Sequence, residues 1–239
     1  MADRDLLPEN TLLFHLEELR RRLLKILLVT ALLYPAGYFL SPYLITFLVS
    51  YAFPGGVEKL YYFTPMEVFF VRLKLALIIA LVAAYPYNIS QLWGFILPAL
   101  YPDEKKKLGA WLFFSTFLFL GGAVFCIGLI LPLIMEFSAG FASAELQMML
   151  GIGAFLNLAG ALTLAFGIMF QAPIAVMLAV RFGVIGKSSL NKIRPYVMTV
   201  ILIIAGILTP PDIVSQLLLA LPTWMLFELG VLLARKVKD

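Results

Sequence analysis

The apolar positions of this chain fall into long runs that are separated by short polar segments rich in Gly, Pro, Lys and Arg. A helix needs about 20 mainly apolar residues to cross the hydrocarbon core of a bilayer. Five of the runs reach or approach that length, and the fifth in order falls short of it. The runs cover residues 23–40, 66–93, 108–137, 151–181, 196–209 and 213–234. The pattern predicts six membrane-spanning helices.

A short amphipathic segment precedes the first run. Leu12, Leu16, Leu19 and Leu23 recur at helical spacing, which predicts a helix with one apolar face that leads directly into the first span.

The segment between the first two runs carries a second apolar stretch, residues 43–53. Eleven residues are too few to cross the membrane, so we expect an interfacial helix in the first outer loop.

The last two runs differ from the others. Only residues 196–209 lie between Pro195 and Pro210, and Pro222 interrupts the sixth run. Fourteen helical residues cover about 21 Å, less than a core of about 30 Å. The hairpin either crosses a thinned bilayer or enters and leaves on one side. We favour two short spans, because lipid-exposed irregular backbone is not tolerated at depth.

Composition supports a membrane protein. Of the 239 residues, 62% are hydrophobic and 13% are charged, against about 45–50% and 25% in soluble domains. We expect one domain over residues 1–239, an all-α bundle with a cytoplasmic segment at 1–22, six helices over 23–234 and a tail at 235–239.

The distribution of Lys and Arg residues predicts the orientation of the chain in the membrane. Fifteen of the 18 Lys and Arg residues lie in four alternate segments, as the positive-inside rule requires of six spans with both termini in the cytoplasm. Because these cations are divided among four segments, they form no single basic surface that could bind a nucleic acid. These segments hold residues 4–25, 105–107, 181–194 and 235–238, leaving only Lys59, Arg72 and Lys74 elsewhere.

Three acids lie at the predicted cytoplasmic boundary: Glu17, Glu18 and Glu104. Glu17 and Glu18 precede Arg21 and Arg22 by four residues, so they could simply neutralise their own helix. Glu104 could complement the dipole of the third span. Alternatively, Glu18 and Glu104 form a clamp for two adjacent cations from another chain.

Polar residues inside the spans are few. Gln171 lies about 15 Å of helix from the inner end, where an unbonded amide is costly, so it either joins helices or receives a partner. Asn157 and Gln216 are weaker cases. Asp212 is expected to cap the sixth span.

Charged side chains near the span ends have local interpretations. Glu228 is expected to snorkel or to pair with Arg235, and Glu67 is a possible partner of Arg72 and Lys74.

No catalytic constellation is present. The single His15 and single Cys126 have no metal-ligand or nucleophile companions in the sequence pattern, which argues against an enzyme. Two rival functions remain. A proton-coupled small-solute transporter would need a deep carboxylate or histidine, and a scaffold would bind no ligand.

The sequence resembles the TatC family, the receptor subunit of the twin-arginine protein translocase. The resemblance spans nearly the whole chain and depends on the order and spacing of several short stretches. These are Phe14-His15-Leu16-Glu17-Glu18-Leu19-Arg20, Phe63-Thr64-Pro65, Gln91-Leu92-Trp93-Gly94-Phe95, Pro98-Ala99-Leu100-Tyr101, residues 165–173, Arg194-Pro195-Tyr196-Val197, Leu208-Thr209-Pro210-Pro211-Asp212 and Ser215-Gln216.

The resemblance implies a signal-peptide site at Glu18 and Glu104, with Arg20 in the same patch. Gln171 stands where family members often carry a glutamate, which puts in doubt any role that needs a titratable group there. The resemblance also implies no cofactor, export driven by the proton gradient, self-association, and single-span TatA and TatB-type partners that meet intramembrane polar residues such as Gln171, Asp212 and Gln216. The implied location is a bacterial or archaeal cytoplasmic membrane.

Overall fold

A computed structural model describes residues 9–53, 60–96, 108–141, 149–181, 183–186, 189–209 and 212–236. Within these ranges the regular secondary structure is helical, apart from one isolated β-bridge between Tyr61 and Gly151. The helices are α1 (Glu9–Ala52), α2 (Glu67–Ile96), α3 (Leu108–Phe125), α4 (Leu131–Ala139), α5 (Ile152–Met169), α6 (Ala172–Arg181), α7 (Leu190–Leu208) and α8 (Ile213–Lys236). A π-helical turn, Cys126–Ile130, joins α3 to α4.

Six of the helical segments in the described part of the chain are long and apolar enough to cross a membrane, as predicted. Many of their large apolar side chains lie on the outside of the bundle. Leu32 and Phe39 are each 75% exposed. Such a surface is stable against lipid and unstable against water.

Helix α1 is longer than the sequence pattern predicted. Its 44 residues cover about 66 Å and include Pro35 and Pro42. The expected interfacial helix over residues 43–53 is wrong as a separate element, because most of that stretch forms the last turns of α1. Leu48 and Ala52 are 2% exposed and belong to the central core. This burial holds the final turns on the helix axis.

Helices α1 and α2 cross at very short range. A Cβ atom on Gly37 of α1 would collide with the backbone carbonyl of Ala76 in α2. Only glycine allows the two backbones to approach so closely, as is common where helices pack in lipid. Ala76 is fully buried at this crossing.

The third and fourth spans are both interrupted. In the third span, the π-helical turn Cys126–Ile130 ends just before Pro132, the second residue of α4. The fourth span was expected as one helix over residues 151–181. Instead Phe170 and Gln171 form a turn between α5 and α6, and Pro173 stands in the first turn of α6. The break brings Gln171 to the bundle interior.

The last two spans are shorter than the others, as predicted, but α7 is not as short as expected. It begins at Leu190 and has 19 residues, because Pro195 lies within its first two turns instead of before it. The estimate of about 21 Å is therefore wrong, and α7 covers about 28 Å. Pro195 is the sixth residue of α7, so the helix continues through it with the loss of the one backbone hydrogen bond that its missing N–H would have donated.

At the end of the bundle opposite the Arg20–Arg22 run, Glu67 organises the backbone. Its carboxylate accepts hydrogen bonds from the N–H groups of Phe63 (2.7 Å), Thr64 (3.3 Å) and Gly153 (2.9 Å). Beside it, the backbone of Tyr61 bonds to Leu150 and Ile152. The possible pairing of Glu67 with Arg72 or Lys74 is wrong, because backbone N–H groups occupy both carboxylate oxygens.

Candidate functional site

Glu18 and Arg22 form an ion pair one turn apart on α1. Arg22 Nε and Nη2 donate to Glu18 Oε1 at 3.0 and 2.6 Å, and the side chains are 21% and 23% exposed. The expected neutralisation within the helix is therefore confirmed for this pair. Among the described residues, Glu18 Oε2 has no partner and remains available as an acceptor.

Arg22 also links α1 to the C-terminal end of α2 through a hydrogen bond. Its Nη1 donates to the Gln91 carbonyl oxygen at 3.3 Å, and its guanidinium lies against Gly94, where a Cβ atom would collide with Nη1. Carbonyl groups at the end of a helix carry partial negative charge. Arg22 therefore has two sources of stabilisation, and Glu18 supplies one of them.

A ring contact adds to this junction. His15 meets Phe95 edge-to-face, with ring centroids 6.0 Å apart. Together these contacts pack the first described turns of α1 against the last turns of α2. Sequence reasoning named Glu18 and Arg22 but missed Gln91 and Gly94 as their supports, although both lie in a stretch that carries the family resemblance.

The junction borders a cleft of about 820 Å³. Its described lining has two carboxylates and four cations, so this part of the wall is basic in sum. Arg20 lies on it, as expected for the same patch, and Glu17 has no ion-pair partner within the described ranges. The lining residues are His15, Glu17, Glu18, Arg20, Arg21, Arg22, Leu24 and Lys25. Glu104, the second acid of the predicted clamp, lies outside the described residues.

Gln171 makes two hydrogen bonds to one residue of α3. Ser115 Oγ donates to Gln171 Oε1 at 2.6 Å, and Gln171 Nε2 donates to the Ser115 carbonyl oxygen at 3.0 Å. The Tyr85 hydroxyl of α2 lies 3.2 Å from Ser115 Oγ. The prediction that Gln171 joins helices is confirmed. The sequence analysis did not identify Ser115, although it is a hydroxyl residue within an apolar run. The structure buries it in the bundle.

The turn between α7 and α8 holds the remaining predicted residues. Asp212 Oδ1 accepts a hydrogen bond from the Ser215 backbone N–H at 2.6 Å, which confirms it as the cap of α8. Gln216 Nε2 donates to the Leu202 carbonyl oxygen at 2.9 Å and so joins the two helices.

Glu228 pairs with a different cation from the one expected. Arg194 Nη2 lies 2.6 Å from Glu228 Oε2, whereas Arg235 donates to Asn191 Oδ1 at 2.7 Å. The prediction of a Glu228–Arg235 pair is wrong, because the antiparallel packing of α7 on α8 brings Arg194 within reach.

The chain matches the family model described as Sec-independent protein translocase protein (TatC) over residues 14–222. It is 38% identical to the TatC protein of Haemophilus influenzae over 228 residues, covering 94% of this chain and 88% of the relative. It is 34% identical to the Escherichia coli TatC protein over 227 residues, covering 94% and 88% of the two chains.

A solved structure shares the fold. The crystal structure of the twin arginine translocase receptor TatC superposes with a TM-score of 0.85 at 30% identity, covering 92% of this chain and 98% of that one. The chain therefore belongs to the TatC family of Sec-independent protein translocase proteins, which are multi-pass components of the cytoplasmic membrane and not enzymes.

Proposed function

We propose that this chain is the receptor for twin-arginine signal peptides in its export system, and that Glu18 and Glu104 bind the two guanidinium groups at the cytoplasmic face. The proposal includes the orientation predicted from charge, with both termini in the cytoplasm. In that orientation the cleft beside Glu18 opens toward the compartment where folded precursors are made.

One observation carries the proposal: Glu18 already binds a guanidinium, and one of its two oxygens has no partner among the described residues. Arg22 uses Oε1 only, so Oε2 can accept an N–H group from an arginine of a second chain. The carboxylate is about one-fifth exposed, which leaves it reachable while water screens it less than a surface group. Charge-assisted bonds of this kind contribute about 1.5–3 kcal/mol each.

The net positive charge of the described cleft lining indicates that the site needs a further carboxylate to bind two arginines. Glu17 and Glu18 alone do not balance Arg20, Arg21, Arg22 and Lys25 along the described wall. An incoming pair of arginines would meet net repulsion there unless another carboxylate joined the site. Glu104 is that carboxylate in our proposal, on the strength of the family resemblance.

Binding then takes the form of partial exchange at Glu18. An incoming guanidinium bonds first to Glu18 Oε2 and then competes with Arg22 for the charge of the same carboxylate, while Arg22 keeps its hydrogen bond to the Gln91 carbonyl and its contact with Gly94. The cost of releasing Arg22 is therefore smaller than the cost of leaving a buried cation without any partner.

We further propose that single-span TatA and TatB-type subunits, and further copies of this chain, dock on the bundle. Gln171 has one amide hydrogen that the two bonds to Ser115 do not use, and it can serve a polar side chain of a partner helix. Gln216 and Asp212 have structural bonds of their own at the α7–α8 turn, and their role toward partners is to hold that turn in shape.

The test is peptide capture by the purified protein in nanodiscs, with a fluorescent twin-arginine peptide and its twin-lysine counterpart. We expect Glu18→Gln and Glu104→Gln each to weaken capture of the arginine peptide by about tenfold or more, since each loses a charge-assisted contact. Glu136→Gln is the matched control, because it removes an exposed carboxylate of α4 that does not line the cleft, and it should bind like the parent. Equal capture by all four proteins, or equal capture of both peptides, would show that the site lies elsewhere.

The rival transporter function finds less support. The deep polar cluster of Tyr85, Ser115 and Gln171 contains no carboxylate or histidine among the described residues, so it lacks the group that a proton relay would use. Solute uptake by proteoliposomes that contain this chain alone would favour the transporter instead.

A further inference from the structure

Lys74 occupies an unusual electrostatic position on α2. Its Nζ donates to Asn157 Oδ1 of α5 at 3.1 Å. Within the described parts of the chain no carboxylate lies in ion-pair range of it, and Glu67, the nearest acid in sequence, is occupied by three backbone N–H groups. A cation of the protein thus stands beside an amide, with its charge uncompensated.

The depth of this pair in the membrane can be estimated from the helices. Helix α2 has 30 residues and covers about 45 Å, so it exceeds a hydrocarbon core of about 30 Å by roughly 7 Å at each end. Lys74 lies seven residues from Glu67, about 10 Å along the axis. Its Cα is therefore roughly 3 Å inside the boundary, and its long side chain can carry the ammonium back to the headgroup level.

The two side chains together present donors. Lys74 has three N–H donors and gives one to Asn157, whose own NH₂ group adds two more. Both side chains are exposed at the bundle surface. A cluster of an ammonium and an amide NH₂ group complements a ligand with several acceptor oxygens and a negative charge, which describes a phosphate.

An apolar groove of about 350 Å³ begins directly beside these donors. Between α2 and α5 it offers a trough of aliphatic side chains with only Lys74 and Asn157 contributing polar groups. Its lining is Val71, Lys74, Leu75, Ile78, Leu156, Asn157 and Ala161. The site thus has a positively charged polar end and an apolar groove next to it. These two parts complement the anionic headgroup and the acyl chain of a phospholipid at the membrane boundary.

We propose that the groove between α2 and α5 binds one anionic phospholipid, with its phosphate at Lys74 and Asn157 and an acyl chain along Leu75, Ile78 and Ala161. The site lies at the end of the bundle opposite the Glu18 cleft, so it goes beyond the proposed receptor function. A phospholipid fits better than a partner helix, because the donor pair stands at headgroup depth and the groove of about 350 Å³ is lined by only seven residues.

The experiment measures lipid retained by the full-length protein in native mass spectrometry after delipidation and addition of phosphatidylglycerol. We expect the parent to retain one lipid, and Lys74→Gln to lower retention by about tenfold, since one charge-assisted contact is lost. Lys74→Arg should restore retention. The matched control is Lys192→Gln, which removes an exposed lysine at the end of the bundle that carries Arg194 and should retain lipid like the parent.

Two further arms separate the headgroup from the chain. Ala161→Phe leaves the cation in place but fills the trough, and Ala161 is exposed, so the protein should fold and lose the lipid. Glycerol phosphate, which has the headgroup without the chain, should fail to compete with phosphatidylglycerol.

Three results would overturn the proposal. Lipid retention by Lys74→Gln equal to that of Lys192→Gln would show that Lys74 does not bind it. Full competition by glycerol phosphate would show a simple anion site. Retention of phosphatidylcholine equal to that of phosphatidylglycerol in the parent would show that charge has no part in binding.

Discussion

Arg194 of α7 and Glu228 of α8 form an interhelical ion pair, with Nη2 and Oε2 2.6 Å apart. The pair lies in the half of the last hairpin that is far from its turn at Asp212. At the other end, Gln216 bonds to the Leu202 carbonyl oxygen. Polar contacts therefore link α7 and α8 at two levels of the hairpin, with buried apolar side chains of the central core between them.

Removing the carboxylate should loosen this hairpin. Glu228→Gln leaves Arg194 with a neutral partner, and Arg194 Nε is already buried without a hydrogen-bond acceptor in the described structure. We expect a coupling free energy of about 1 kcal/mol between the two side chains, since they are partly exposed. A double-mutant cycle with Arg194→Gln, followed by unfolding in mixed micelles, measures it. Additive effects of the two substitutions would contradict the pairing.

Releasing Arg22 should favour the incoming peptide. Arg22→Gln removes the internal competitor for Glu18, and we expect peptide affinity to rise several-fold while thermal stability falls, because α1 loses its bond to Gln91. Titration of a labelled twin-arginine peptide measures the first effect, and thermal unfolding of the protein measures the second.

Gly94→Ala offers an independent route to the same state. The added methyl group would occupy the position of the Arg22 guanidinium and displace it without removing its charge. Weaker peptide binding in both variants would mean that Arg22 orients Glu18 instead of competing for it.

The polar contact in the bundle interior should matter for stability and not for peptide capture. Gln171→Leu leaves the Ser115 hydroxyl without its acceptor, and we expect a loss of about 1 kcal/mol, the order found for hydrogen bonds between helices in lipid. Ser115→Ala should cost a similar amount, and the double variant should cost little more than either one. Peptide capture that falls with Gln171→Leu would place this side chain in the peptide site.

The crossing of α1 and α2 should not accept a methyl group. Gly37→Ala places a Cβ atom on the Ala76 carbonyl, and overpacking of this kind costs about 1–3 kcal/mol. Gly121→Ala in α3 is the matched control, because nothing lies within 4 Å of its Cβ position, and alanine is the better helix former. Equal free energies of unfolding for the two variants would show that α1 and α2 can move apart at this crossing without loss of stability.

The spans and caps were predictable because they depend on local chemistry. Asp212 was identified as a cap from its place before an apolar run, and Gln171 as a contact between helices from its depth. Tertiary packing decided the rest. The buried positions of Leu48 and Ala52 continue α1 past Pro42, and no local pattern reports that burial. Likewise the Arg194–Glu228 pair depends on the register of two antiparallel helices, which the charges alone do not fix.

The unbroken length of α1 has a mechanical consequence. One continuous helix carries Glu18 near its first turns, meets α2 at the Gly37–Ala76 crossing and ends in the core at Leu48 and Ala52. Pro35 and Pro42 each remove one backbone hydrogen bond from the stretch around this crossing. The half of α1 that carries Glu18 can therefore bend at these prolines while the other half stays fixed in the core.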